Sequence, residues 1–414
     1  MNSKKAHIDP VDFFLKLGAE TGTCFLKSTS GDGWKTLIAF NPAETFSCKA
    51  GQKNRFTAFL KRNAQKGRKL VGYISYDMGY ELYGIKKTAV DDLQLPDMYF
   101  YAFDNYLCFS GDTAELHYKD RDYPEIVAEI SARSVTPAPP VKSSNFKPTI
   151  TKRRYENAYK KIKKYIFEGD IYQINLTHRL EAQTTLPPRA LFAKVIANNP
   201  VDFLAYIEAD TFQILSASPE RFVKIKDRRI ETCPIKGTRP RGVTTKSDER
   251  YRQELLDNRK EAAELNMITD LLRNDLGKVC ETGSVRVEGS RLISRCPTVW
   301  HTYSRVTGEV ARKYSPVNAL VSMLPGGSIT GCPKKRAMEI IDELEPTTRS
   351  VYTGVIGYID PNMDLDFNIA IRTIIKKDTM LYLQVGGGIV YDSKEEAEFK
   401  ETLDKAKSFM KILV

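Results

Sequence analysis

DFLAYIEA (202–209), FQILSASPERFVKI (212–225) and RRIETCPIKGT (228–238) run into DERYRQELLDNRKEAAELNMITDLLRNDLG (248–277), three strand-like stretches followed by one long helical stretch. Upstream, TKRRYENAYKKIKKYIFEGD (151–170) places Tyr155, Ala158, Tyr159, Ile162 and Ile166 on one helical face, lysines on the other and Gly169 at the stop. IYQINLTHRL (171–180) follows as a strand. Downstream come a Gly-rich turn entering a helix (324–345), strands at 351–360 and 365–375, a glycine-ended strand at 381–393 and a terminal helix at 394–413. Strands and helices mix without regular βαβα alternation, and no period repeats. The expected fold class is a large α+β fold, neither a barrel nor a doubly wound sheet.

SVTPAPPVKSSNFKPT (134–149) interrupts everything periodic and reads as a Pro/Ser-rich linker. It separates a β-rich N-terminal region, 1–133, packing on the core, from a domain over 150–414. LVGYISYDMGY (70–80) and MYFYAFDNYLCF (98–109) are typical of the first region, where no chemistry is visible.

The 63 basic and 52 acidic residues leave +11, a surplus that raises nucleic acid as a partner. The charge is spread along the chain without basic runs interleaved with aromatics, so no nucleic acid is expected. Seven cysteines stand singly, without CxxC pairs, which fits a reducing compartment. No leader-like apolar segment and no run near the roughly 18 apolar residues of a membrane span appears. A cytoplasmic protein with no membrane association is expected. Four histidines without metal-ligand spacing leave carboxylates as the holders of any metal, and hence a hard cation.

Three constellations can carry chemistry. LPGGSITGCPKKRAMEI fails as a P-loop, because Cys332 and Pro333 stand where GxxxxGK[ST] needs lysine. Its glycines allow close backbone approach to an anionic ligand, or simply a tight turn. Glu261 with Glu264, and Glu398 with Glu401, each share a helical face at i, i+3. They form either solvated ion pairs with Lys260 and Lys400 or a two-helix carboxylate site for Mg2+. In CPIKGTRPRG (233–242), Lys236 is held between Pro234 and Gly237, either as an activated amine or as a surface lysine. Glu220, just past a buried-looking strand, is placed to donate a proton or to pair with Arg221.

SASPERF, PIKGTRPRG, KEAAELNMITDLLRNDLGKV, HTYSRVTGEV, LPGGSITGCPKKRAMEIIDELEP, YTGVIGYID, FNIAIRT and GGGIVYDSKEEAEFKETLDKA occur in this order over residues 150–414. Together they resemble the chorismate-utilising enzymes, the family of anthranilate synthase component I, aminodeoxychorismate synthase component I, and isochorismate and salicylate synthases. The resemblance implies an anthranilate synthase component I-like fold of two large facing β-sheets surrounded by helices, with the site in the cleft between them. It also implies Mg2+ and chorismate.

By motif, Glu264 and Glu401 match the Mg2+ ligands, with Glu261 and Glu398 supporting them through water. Arg372, Tyr352 and the amides of Gly386 and Gly388 match the clamp on the enolpyruvyl carboxylate. His301, Ser328, Gly237 and Thr238 match positions lining the ring, with Ser328 a departure from the usual threonine. Gln173 stands where water-adding members carry lysine, which disfavours water as the nucleophile. Lys236 stands in PIKGT, as in members that make 4-amino-4-deoxychorismate, where anthranilate-forming members read PIAGT. The resemblance therefore implies amination of chorismate by ammonia through a covalent Lys236 intermediate, with Glu220 as proton donor and anthranilate formation as the alternative.

Ammonia is expected from a separate glutamine amidotransferase subunit, since no glutaminase-like cysteine elbow is present. No fused lyase is expected after Val414. CFLKSTSGDGW only loosely resembles the element that binds feedback tryptophan, with Lys27 in place of an acid, so weak or absent tryptophan inhibition is expected.

Overall fold

The strand Phe203–Glu208 shows how this sequence builds its core. Phe203, Ala205 and Ile207 enter one apolar cluster, and Leu204 and Tyr206 enter another. A period of two is that of a pleated strand, and apolar residues on both faces require a place inside a layered structure. The computed structural model describes residues 2–18, 22–29, 33–135, 141–296 and 299–413. Residues 136–140 of the linker and 30–32 of CFLKSTSGDGW lie outside these.

Two antiparallel sheets of twelve and ten strands form the body of the described residues. The first runs, neighbour to neighbour, Asn2–His7, Thr113–Tyr118, Tyr106–Ser110, Thr36–Ala39, Cys24–Lys27, Phe203–Glu208, Gln213–Ser218, Thr373–Lys377, Met380–Ile389, Gln173–Gln183 and Gly331–Cys332. Lys147–Pro148 adds a short strand on Gln173–Gln183. The second runs Ile235–Pro240, Val299–Glu309, Arg229–Thr232, Arg221–Lys226, Leu365–Ile369, Val355–Ile359, Lys69–Ile74, Met98–Phe103 and Glu44–Cys48, with Arg286–Arg295 also on Val299–Glu309. The N-terminal strands thus continue both sheets.

Leu26 and Ile214 of the first sheet meet Tyr73 and Ile356 of the second in an inter-sheet cluster. The outer faces are covered by helices, through Phe13, Phe192 and Phe409 on the first sheet and Phe56 and Phe59 on the second. Two large sheets surrounded by helices make up the fold, as expected from the sequence.

Four segments differ from the sequence expectation. FQILSASPERFVKI is two strands, Gln213–Ser218 in the first sheet and Arg221–Lys226 in the second. LDFNIAIRTII divides likewise into Leu365–Ile369 in the second sheet and Thr373–Lys377 in the first. The two crossings lie side by side: Ala217 N–H donates to the Arg372 carbonyl at 2.9 Å, and Ile369 N–H to the Glu220 carbonyl at 3.0 Å. Pro219 lacks a ladder donor, and Arg372 has φ of 50°, so neither can continue a strand. Glu220 and Arg372 are thereby placed where the sheets join.

The long helix at 248–277 is also two, Thr245–Asp257 and Arg259–Gly277. Asn258 is extended, and its side chain accepts from Glu261 N–H at 3.0 Å, an N-cap that starts a new helix. Glu261 and Glu264 consequently stand near its beginning. RRIETCPIKGT breaks at Cys233–Pro234 into Arg229–Thr232 and Ile235–Pro240.

Candidate active site

Glu220 is buried in the first crossing. Its Oε1 accepts the Ser328 hydroxyl at 3.0 Å, from the single turn Gly327–Ile329. Burial pushes the carboxyl up to about 7, against the lowering pull of Lys236, the Ser328 bond and Lys405. A carboxyl at that value exchanges its proton near neutral pH.

Lys236 lies half-buried on Ile235–Pro240, at a bulge against Val299–Glu309 that falls between Lys236 and Thr238. Gly237 carries φ of +78° there, and a Cβ on it would come 2.7 Å from Leu255, 3.0 Å from Glu261 Oε2 and 3.1 Å from Thr302. Glycine is therefore required, and the bulge re-aims the lysine. Thr302 donates its hydroxyl to the Lys236 carbonyl, fixing the backbone. The charge of Lys236 acts on both Glu220 and Glu401, lowering each carboxyl, without forming a direct ion pair with either.

Arg372, His301 and Thr238 line one cavity of about 800 Å³, which Lys405 also borders. Thr238 Oγ1 is 2.9 Å from His301 Nδ1. Burial first, then the Arg372 charge, holds His301 down to about 4, so it is a neutral ring at pH 7. Burial also lowers Arg372, and no acid pairs with it among the described residues. A deeply placed guanidinium without a carboxylate is prepared for an anionic ligand.

Met380–Ile389 and Gln173–Gln183 pair with Gly386 opposite Thr177 and Gly388 opposite Asn175. A Cβ on Gly386 would come 2.6 Å from Thr177 and 2.8 Å from the Leu176 carbonyl, so only glycine fits there, whereas one on Gly388 would meet only the movable Gln173 amide, at 2.9 Å. Lys405 donates to the Gly386 carbonyl at 2.9 Å and pairs with Glu401 at 2.9 Å. Lys405 did not stand out in the sequence; its i, i+4 relation to Glu401 was the available signal. Tyr352 is buried on a turn whose N–H donates to the Arg349 carbonyl at 3.0 Å, and burial raises its hydroxyl.

The four glutamates come from two helices, Arg259–Gly277 and Glu395–Met410. Lys260 is 3.8 Å from Glu264, and its charge also acts on Glu398 and Glu401 of the other helix. Burial raises Glu398, the Glu401 charge adding to it. Burial would raise Glu401 too, but Lys405, Lys236 and Lys260 outweigh it and hold it low. Glu261 pairs through Oε1 with Arg239 at 3.0 Å, while its Oε2 is buried without a hydrogen-bond partner. Among the described residues no three His, Cys, Asp or Glu side chains converge as a metal cage. Glu261, Glu264, Glu398 and Glu401 are thus not drawn into one preformed cluster. The buried Glu261 Oε2 without a partner is a polar atom that a water of a hard cation held by one or two carboxylates would satisfy.

A buried carboxyl raised toward neutrality and an arginine without an acid partner among the described residues, both where the two sheets exchange strands, are prepared for an anionic substrate. The sequence pattern of the chorismate binding enzymes matches residues 22–411, and the chain belongs to that family. It is a chorismate-utilising enzyme. Over 358 residues it is 38% identical to aminodeoxychorismate synthase component 1 of Bacillus subtilis (strain 168), covering 83% of this chain and 76% of that protein. Over 265 residues it is 44% identical to anthranilate synthase component 1 of Cereibacter sphaeroides, covering 64% of this chain and 52% of that protein, about half its length. The crystal structure of anthranilate synthase component I from Streptococcus pneumoniae TIGR4 superposes with a TM-score of 0.80 at 29% identity, covering 90% of this chain and 91% of that one. No helix of the described residues is long and apolar enough to cross a membrane.

Proposed function

We propose that this chain aminates chorismate with ammonia to 4-amino-4-deoxychorismate, through a covalent bond between Lys236 and the substrate ring. The observation that carries the proposal is buried Glu220, hydrogen-bonded by Ser328 and raised to about 7, with a carboxyl that feels the charge of Lys236. A nucleophile and a proton donor at one ring are what replacement of a poor leaving group needs.

Arg372 takes the enolpyruvyl carboxylate, aided by the amides of Gly386 and Gly388 and the Tyr352 hydroxyl. Thr238, His301 and Ser328 line the ring. Mg2+ would be held by Glu264 and Glu401, with Glu261 and Glu398 behind them, where it would neutralise the ring carboxylate. The Lys236 amine adds through its lone pair to the ring as the double bonds migrate, and Glu220 gives its proton to the departing 4-hydroxyl. Water leaves, with Lys236 bound as a secondary ammonium and Glu220 ionised. Ammonia then forms the bond at C4, and the ring–lysine bond breaks with its electrons returning to the lysine. The new ammonium returns one proton to Glu220, which closes the cycle.

The partner fitting this reading is a separate glutamine amidotransferase subunit, in a cytoplasmic setting. Purified enzyme with chorismate, ammonium and Mg2+ should turn over, lose activity on chelation, and fail with glutamine unless a glutaminase is added. Turnover unaffected by chelation would contradict the metal assignment. Anthranilate formation is the second reading, favoured by the relative at 44% identity.

Arg372→Met should raise KM for chorismate about 10–100-fold, since a charge-assisted hydrogen bond contributes about 1.5–3 kcal/mol. Arg372→Lys should recover part of that. Steady-state kinetics with an unchanged KM would remove Arg372 from the clamp.

A further inference from the structure

Arg349 is the largest fully buried side chain among the described residues, yet its guanidinium reaches three separate segments. Nε and Nη2 donate to Glu345 at 2.9 and 2.6 Å. Nη1 donates to the Ile329 carbonyl at 2.8 Å, and Nη2 to the Asn175 carbonyl at 2.7 Å. The Tyr76 ring lies 4.7 Å below the guanidinium carbon. Glu345 in turn accepts the Thr177 N–H at 2.9 Å.

Each segment carries a part of the site. Ile329 follows Ser328, whose hydroxyl meets Glu220. Asn175 and Thr177 stand opposite Gly388 and Gly386. The Arg349 carbonyl holds the N–H of Tyr352. We propose that Arg349, through its pair with Glu345, is a positioning residue for the chemical step, locking the Ser328 turn, the glycine strand and the Tyr352 turn in one register.

Burial of an ion pair is weak evidence of a stability role, since an apolar pair of similar size often serves as well. What an apolar pair cannot supply is a planar fork that meets a carboxylate and two carbonyls at once. Lysine keeps the charge but not the fork. The groups facing Glu220 are Lys236, Lys405 and the Ser328 hydroxyl, and release of the turn removes the third.

The inference rests on Glu220 as the proton donor and is tested in a double-mutant cycle on the full chain, with chorismate, ammonium and Mg2+. Wild type must turn over first; failure there refutes the proposed function rather than this inference. Arg349→Lys should lower kcat at least about tenfold, within the range for residues coupled in one network. Ser328→Ala should lower kcat at least about fivefold in the wild-type background but less than about twofold beside Arg349→Lys. The falling limb of kcat against pH should move to higher pH in both single variants. Should Arg349→Lys not fold, the pair Arg349→Met with Glu345→Gln removes both charges and takes its place in the cycle. Independent, multiplicative losses with an unmoved pH limb would overturn the inference and leave Arg349 a structural residue.

Discussion

Lys236→Ala is expected to lower amination of chorismate by at least about a thousandfold, the scale met when a covalent nucleophile is removed. The size follows from the chemistry. Without the amine, ammonia must displace the 4-hydroxyl directly, and the barrier divided between two steps returns as one. KM for chorismate should change little, because the proposed carboxylate clamp of Arg372 and the glycine strand does not include Lys236. The Lys236→Ala protein should fold as wild type does, since the side chain is half-buried and its backbone carbonyl, not its amine, accepts the Thr302 bond. Steady-state rates with calorimetry check both parts. A loss of activity matched by a loss of folded protein would leave the nucleophile unassigned, and a rate within tenfold of wild type would exclude the covalent route.

Glu220→Gln should lower kcat by about 10²–10⁴-fold, the usual yield of a general acid. In wild type the acid must be protonated, so kcat at constant free ammonia should fall above about pH 7, the value at which burial has set the carboxyl. The glutamine variant should lack that limb. The same substitution should stabilise the fold at pH 8. The carboxyl has an ordinary value of 4.5 and is raised to about 7 in the folded protein, so the folded state binds the proton more tightly than the unfolded one. Above pH 7 the ionised group is buried at a cost of about 3 kcal/mol, at 1.36 kcal/mol per unit; on acidification toward 4.5 that cost disappears. The melting temperature of Glu220→Gln should therefore exceed that of wild type at pH 8, and the gap should close as pH falls. Lower stability at pH 8 would show that the carboxylate is better paired than its burial implies.

Much of this was legible in the chain. The stretch 202–209 read as a strand, the two facing sheets followed from the family resemblance, the Pro234–Gly237 frame singled out Lys236, and i, i+3 glutamates marked the two helices. The breaks were less visible. FQILSASPERFVKI and LDFNIAIRTII look continuous because both halves of each are strand-like, and what separates them is which sheet each half pairs with, a long-range choice no local propensity records. Only Pro219 hinted at one crossing; Arg372 in left-handed backbone gave no hint of the other. Asn258 was a readable N-cap inside an otherwise helical run. Arg349 and Glu345 were invisible as a device, because an i, i+4 pair of this kind usually faces water.

The central claim is that Lys236 directs ammonia to the carbon that bears the 4-hydroxyl. Product identification after incubation of the purified chain with chorismate, ammonium and Mg2+ tests it most directly. The expected product is 4-amino-4-deoxychorismate, which keeps its enolpyruvyl group and yields p-aminobenzoate on addition of a lyase. Fluorescent anthranilate with release of pyruvate would contradict the claim and establish the second reading.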